Sequence, residues 1–441
     1  MVDFKFFKLS ELAEVIVSGV DKKSKPGQKE VKLCNFTDVY YNWAITSSLL
    51  ESFMVATAKD NEIKTLSIKK GYVALTKDSE TRYDIGISTY IADDLDGVVL
   101  GYHCALIKPN EKMLCGKYLN CLLQTQYART YFANNAKGSG QRYSLTQDCL
   151  NDMKIPLPMK NGRIDTDYQE KVGNFFSSID KKIEINQQIN RNLEELARLI
   201  YDYWFVQFDF PDKNGKPYKS NGGKMVWNKA LKRKIPEGWE VSVLNDFVDT
   251  CENGEWGADE ESSKNNIKVG CVRGADIEDM MDLPVRYISN GNQKKLLKEF
   301  DIIVEISGGS PTQATGRSNF VSSELLKRNE GKITCSNFCK SLRLKDENTS
   351  SYFFMLWQKL YEWNYMFNHE GKTSGLKNLM IDSVLETKWS VPPKELMVKY
   401  HSIFQKALKQ REFLKTENKN LSEVRDCLLP LLMNGQVSLR G

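Results

Sequence analysis

The sequence predicts an α+β chain: two similar α/β domains separated by two long helices that form a coiled-coil spacer. Three observations predict it. One set of features recurs in the same order after about 230 residues, a domain duplication rather than a short-period solenoid. Each copy closes on a pair of prolines, which can continue neither a helix nor a central strand. Each closure is followed by an amphipathic segment of about 40 residues.

Each copy opens on a short apolar segment, running from Phe7 to Ile16 in the first and from Trp239 to Val248 in the second. A Gly- and charge-rich loop follows, then a strand-like run ending in Asp and a β-branched residue, at Asp38-Val39 and Asp276-Ile277. The next strand candidates are Tyr72-Val73-Ala74-Leu75 and Ile302-Ile303-Val304-Glu305. Aromatic-rich helical stretches come next, from Tyr118 to Tyr131 and from Tyr352 to Phe367. Gly/Ser turns follow at Gly138-Ser139-Gly140 and Thr373-Ser374-Gly375, and the copies close at Pro156/Pro158 and Pro392/Pro393.

The first long helix is expected from about Asp167 to Val206 and the second from about Glu395 to Met433. Apolar residues recur at helical spacing, including Phe176, Ile189, Phe404 and Leu408. The expected spacer-helix core is Ile179, Ile183, Leu193, Leu196 and Ile200 against Leu414, Leu421 and Leu428. The last three form a heptad series. The repeat lays Phe176 on Phe404, Asn190 on Asn418 and Leu193 on Leu421. Two helices of equal length, one after each domain, favour pairing with each other; the alternative is that each packs on its own domain. About 40 residues at about 1.5 Å each make a rod of roughly 60 Å, the length of a spacer. The expected boundaries are a first domain at 1–158, a first spacer helix and basic connector at 159–235, a second domain at 236–393 and a second spacer helix at 394–441.

Composition bounds the function classes. The chain has 441 residues, 41% hydrophobic and 27% charged, which excludes bulk disorder. Its net charge of +5 is too mild to argue for nucleic acid without a clustered basic face. Ten cysteines include no Cys-x-x-Cys pair, and there are only three histidines, so no metal is expected and the thiols read as reduced and mostly buried. No signal peptide or membrane span is expected, which makes a cytoplasmic protein the expectation.

The connector after the first long helix is the most informative stretch. It contains Tyr203-Trp204-Phe205-Val206, then Phe208-Asp209-Phe210-Pro211, and then Asn214-Gly215-Lys216-Pro217-Tyr218-Lys219-Ser220. It continues through Gly222-Gly223-Lys224-Met225-Val226 to Ile235-Pro236-Glu237-Gly238-Trp239-Glu240. An aromatic plug ends a helix, turns follow, and between Lys213 and Lys234 lie eight Lys or Arg and no acidic residue. That basic run reads equally as a solvated linker or as a phosphate-neutralising segment.

This connector closely resembles the central region of the specificity (S) subunits of type I restriction-modification enzymes. The duplicated plan extends the resemblance over the whole chain. The first copy departs from the pattern by opening at Phe7 without a Pro-Glu-Gly-Trp-Glu run. The resemblance implies two target-recognition domains, each reading one half of a split double-stranded DNA site, held apart by helices that pair antiparallel. It implies two modification (methyltransferase) subunits docked on the helical regions, and restriction (translocase-nuclease) subunits joining through the complex. S-adenosylmethionine, ATP and Mg are then expected in those partner subunits, with no cofactor in this chain.

For base contact the expected residues are Arg82, in the loop from Thr76 to Asp84, and Gln313, Arg317 and Asn319, in the equivalent loop from Ser307 to Asn319. For phosphate contact they are Lys22 and Lys23, Lys137, Ser139, Gln141 and Arg142, and Lys372, Thr373, Ser374 and Lys377. The alternatives are solvated loop residues and ordinary turns.

An enzyme is the rival class. The one Pro-Pro pair is flanked by Val391 and Lys394, not by the Asn/Asp and aromatic residues that hold a flipped adenine. Gly138-Ser139-Gly140 lacks a third glycine, and no Gly-Lys-Ser/Thr phosphate loop occurs. The expectation is a non-catalytic subunit. The other reading kept open is a DNA-recognition subunit of another defence or DNA-processing complex.

Overall fold

The computed structural model describes residues 2–308, 312–373 and 376–439. The chain divides into two compact units: residues 1–185 with 418–441, and residues 186–417. Each contains mixed sheets and part of each long helix, so the fold class is α+β. Among the described residues no helix is long and apolar enough to cross a membrane.

In the first unit, strand Asp3–Lys8 pairs with strand Lys154–Lys160, with Phe6 opposite Pro156 and Phe4 opposite Pro158. The two prolines therefore lie within a strand rather than after one. They occupy alternate positions, so their missing N–H groups fall on one side and the ladder to Asp3–Lys8 survives. A five-stranded sheet follows, ordered Ala13–Val17, Cys104–Pro109, Val73–Thr76, Ser88–Ile91 and Ala44–Ile45. A second sheet places Lys29–Cys34 between Met54–Ala58, antiparallel, and Val98–Leu100, parallel.

The second unit repeats this plan. Glu240–Val243 pairs with Lys388–Val391, which Pro392 and Pro393 follow directly. A four-stranded sheet is ordered Val248–Asn253, Cys339–Leu344, Ile302–Glu305 and Ser318–Phe320. Asn265–Val272 lies between antiparallel Val285–Ser289 and parallel Ile333–Cys335. Central strands Val73–Thr76 and Ile302–Glu305 are buried along their whole length. The aromatic-rich stretch of the first unit is two helices, Gly116–Leu123 and Gln126–Asn135, because Thr125 stops one and caps the next. Its counterpart is one helix, Ser350–Glu362.

The long helices are Thr166–Tyr201 and Lys394–Met433. Within the first unit Tyr168 donates its hydroxyl hydrogen to the Leu432 carbonyl at 2.8 Å, and Asn418 Nδ2 donates to the Ile183 carbonyl at 3.4 Å. Within the second, Asn186 Nδ2 donates to Glu417 at 2.6 Å, Arg411 to Glu194 at 2.7 Å and the Tyr400 hydroxyl to the Ala197 carbonyl at 3.0 Å. Numbers rise on one helix as they fall on the other, so in both units the helices pair antiparallel. The inward positions alternate in steps of three and four: Val172, Phe176, Ile179 and Ile183 in the first unit, then Asn186, Asn190, Leu193, Ala197 and Ile200 in the second. Opposite them run Tyr400, Phe404, Ala407, Arg411 and Leu414, then Asn418, Leu421, Arg425 and Leu428. This is the heptad seam expected, with one correction: Leu196 is 51% exposed and Ala197 takes its place. A helix turns about 100° per residue, so Leu193 and Ala197 share the seam and Leu196 falls off it. Ile189 is likewise exposed.

The connector closes the second unit. Phe205 packs on Tyr352 at 4.9 Å and Tyr400 at 5.4 Å, and Phe208 meets Trp239 edge-on at 5.2 Å between ring centroids. Within the basic run Arg233 is structural, lying 4.7 Å from the Trp389 ring and donating to Ser390 Oγ at 2.8 Å.

Asp180, on the first-unit part of the seam, has its carboxyl pushed up to about 7 by burial and by Glu184, against the opposing pull of Arg425. A folded-state value above the ordinary 3.8 means the folded chain holds a proton the unfolded chain has lost. Stability from this group is present at low pH and is lost as pH rises towards 7. Asp180→Asn should therefore raise the urea midpoint more at pH 8 than at pH 5; an equal gain at both would show that the carboxyl titrates normally.

Candidate nucleic-acid interface

Each unit carries a further small sheet, and it joins the two segments expected to meet DNA. In the first unit, strand Asp78–Ser79 continues from the buried Val73–Thr76 and pairs with Arg142–Ser144, which pairs with Lys137–Ser139. The Arg82 loop and the Lys137–Arg142 hairpin thus form one surface. Gly138 serves the hairpin itself: a Cβ there would lie 2.0 Å from the Arg142 carbonyl oxygen, and its φ is +145°.

A carboxylate sits at the base of this surface. The Asp78 side chain is 6% exposed and receives Lys77 Nζ at 2.7 Å, His103 Nδ1 at 2.7 Å, Arg142 Nη2 at 3.1 Å and the Ser144 hydroxyl. Burial would push this carboxyl up, but the hydrogen bonds from Lys77, Ser144 and His103 outweigh it and hold the group well below the usual carboxylate range. It is therefore an anion that fixes Lys77, Arg142 and His103 around it.

Aromatic groups interleave with these cations. The Arg82 guanidinium lies 5.2 Å from the Tyr143 ring centre, and Lys77 Nζ lies 5.2 Å from that of Tyr102. Tyr83 is 85% exposed, and Tyr41 is almost as open. Tyr40 donates its hydroxyl hydrogen to Asp84, which ties the helix Phe36–Tyr41 to the Arg82 loop. The Tyr102 N–H donates to the Val20 carbonyl at 2.7 Å, which brings the exposed Lys22-Lys23 loop beside Tyr102 and His103. Gln141 and Lys137 are exposed on the hairpin.

The second unit has the same sheet with different chemistry. Ser307–Gly308 pairs with Leu376–Leu379, which pairs with Glu370–Thr373. The nearly buried Glu370 carboxylate accepts from the Thr315 N–H at 2.6 Å and from Lys377 Nζ at 3.2 Å. Lys377 Nζ also donates to the Gln313 carbonyl at 3.3 Å, which joins loop to hairpin. The Gln313 side chain is exposed. Arg317 and Asn319, expected at bases, have internal roles. Arg317 donates to Glu305 at 2.8 and 2.9 Å, to Glu278 at 3.2 Å and to the Gly274 carbonyl at 2.9 Å. Asn319 Nδ2 donates to the Ile277 carbonyl. Arg317 precedes strand Ser318–Phe320 and Asn319 lies within it; that strand closes against the sheet, and the position uses their donors for structure. Ser374 lies outside the described residues, as do the side chains of Ser139, Lys372 and Thr373.

Reading the sequence for donors missed the acceptors beneath them. Those acceptors are Asp78 and Glu370. The signal for the first is Lys77-Asp78 directly after the apolar run Val73-Ala74-Leu75 and Thr76, a place where an acid needs partners. Among the described residues no group of three or more His, Cys, Asp or Glu is arranged to hold a metal.

Cations, amides and exposed rings set on two small sheets are chemistry suited to phosphates and base edges. Residues 1–195 match the family model described as the type I restriction modification DNA specificity domain. The chain is 24% identical to the Type I restriction enzyme HindI specificity subunit of Haemophilus influenzae, over 99% of this chain and 100% of that protein. It is 26% identical to the Type I restriction enzyme MjaIX specificity subunit of Methanocaldococcus jannaschii, over 73% of this chain and 69% of the relative. It shares the fold of the type I restriction-modification S subunit from M. genitalium, with a TM-score of 0.58 at 14% identity over 98% of this chain and 96% of that one. The comparisons thus point to the family that the connector resembles: residues 1–195 match its specificity domain, and the chain is similar along its length to a specificity subunit of that family.

The contrast between Arg317 and Arg82 is testable by unfolding. Glu305 is 4% exposed at the side chain, so Arg317→Ala strands a buried charge and should cost about 3–5 kcal/mol. Arg82→Ala should stay within about 1 kcal/mol. Equal small effects would return Arg317 to the pool of free surface cations.

Proposed function

We propose that this chain is the DNA-sequence specificity subunit of a type I restriction-modification complex, with each unit reading one half of a bipartite double-stranded site. The observation that carries this reading is the recurrence of one loop-and-hairpin sheet on two copies of one fold with different side chains: Asp78, Arg82 and Arg142 in one, Glu370, Gln313 and Lys377 in the other. One scaffold with two sets of donors suits a site whose halves differ in sequence.

The chain supplies the address and holds no catalytic centre of its own. S-adenosylmethionine, ATP and Mg belong to the subunits it recruits in the cytoplasm, two modification subunits and the restriction subunits. Docking of the modification subunits on the long helices is supported by apolar residues that the seam leaves outside, among them Leu196 and Leu199 in the second unit.

The test is adenine-methylation mapping of DNA from cells that express this chain with the modification subunit encoded beside it. A single motif of two short halves with a fixed gap is expected, and exchanging residues 1–158 for those of a relative should change one half alone. No new methylation from a soluble, associated pair would refute the reading. Leu196→Glu with Leu199→Glu should leave the chain folded and unable to bind the modification subunit; persistent assembly would put the docking face elsewhere.

A further inference from the structure

We infer that Asp78 is a specificity-positioning residue: it holds Arg142 against a buried anion and so makes it a reader of base edges rather than a generic phosphate clamp. The inference rests on the DNA-reading function above and names how the first unit's sheet achieves it.

Arg142 lies at the edge of the hairpin, with its side chain 51% exposed, and is tied to Asp78 through Nη2 at 3.1 Å. Two features follow. The side chain has lost much of its rotamer freedom before DNA arrives, so less is lost on binding. Part of its charge is offset from below by a carboxylate that it shares with Lys77, and a phosphate approaching it would also approach Asp78. A cation already paired with a carboxylate contributes less to counterion release, the term that drives sequence-independent binding, than a free one. Guanine O6 and N7 are neutral acceptors, are not repelled by the carboxylate, and match the geometry of a fixed guanidinium. Lys22, Lys23 and Lys137 are exposed on the same unit and remain suited to phosphate. The second unit also sets a nearly buried acid against a hairpin cation, Glu370 against Lys377, on the other edge strand of its sheet, so pairing of an acid with a hairpin cation is not confined to one sequence.

The test uses the full chain with its modification subunits and the Asp78→Asn variant, which keeps the shape and removes the charge. The expected result has two parts. The half-site read by residues 1–158 becomes degenerate at one or more positions while the other half is unchanged. Affinity for non-cognate duplex rises, and the slope of log K against log salt steepens by about 1. An unchanged motif would overturn the inference, as would equal weakening on cognate and non-cognate DNA, which is the signature of structural damage. Should Asp78→Asn fail to fold, Arg142→Gln separates the same alternatives. A base reader changes the motif and leaves the salt slope nearly constant. A phosphate clamp keeps the motif and lowers the slope by about 1, which would also overturn the inference. A wild-type complex with no bipartite motif would instead defeat the functional reading itself.

Discussion

The apolar seam between the two long helices is the constraint on which both units depend. Neither unit is built from one stretch of sequence: the first needs residues 418–441 and the second needs both helices. Val172, Phe176 and Ile179 share a core with Leu429 and Leu432, and Tyr201 shares one with Tyr400, Phe404 and Leu408. Each fully buried aromatic or leucine contributes roughly 1.5–3 kcal/mol through removal from water. Polar residues interrupt the seam at Asn186, Asn190, Arg411 and Asn418. Side chains that need specific partners resist sliding by a heptad, as a single buried asparagine does in coiled coils. The ion pair Arg411–Glu194 joins the two long helices, and Arg328–Glu412 ties the short helix Ser323–Arg328 to the second of them.

On that base the small sheets are free to vary. A strand of two residues, Asp78–Ser79 or Ser307–Gly308, pairs each loop with its hairpin. The backbone ladder supplies the geometry, and the side chains carry the differences. In the first unit a buried aspartate organises lysine, histidine and arginine beside exposed tyrosines. In the second a buried glutamate organises a lysine and a threonine beside a glutamine. Side chains on this surface can be exchanged without touching the core.

Much of this was legible in the sequence, because it rests on patterns longer than one element. The duplication, the long helices and the connector are each spread over tens of residues, where no single substitution hides the period. The aromatic plug was readable because Phe205, Phe208 and Trp239 have no reason to be together unless buried. What escaped was local and set by tertiary partners. Leu196 is the more apolar residue, yet Ala197 lies inward because the helix phase and Tyr400 decide. Pro156 and Pro158 look like a stop, yet a strand accepts prolines whose ring nitrogens all face one way. Arg317 looks like a free cation until Glu305, twelve residues earlier in the same sheet, is seen to face it. Spacing alone cannot pair residues across strands whose register is unknown.

Photo-cross-linking tests the central claim most directly. A benzophenone side chain replaces Tyr83 or Gln313 in the full chain, bound with its modification subunits to duplex carrying the methylated motif. The account predicts that position 83 cross-links to nucleotides of one half-site and position 313 to nucleotides of the other. Cross-links from a control position on strand Lys29–Cys34, with none from 83 or 313, would contradict it.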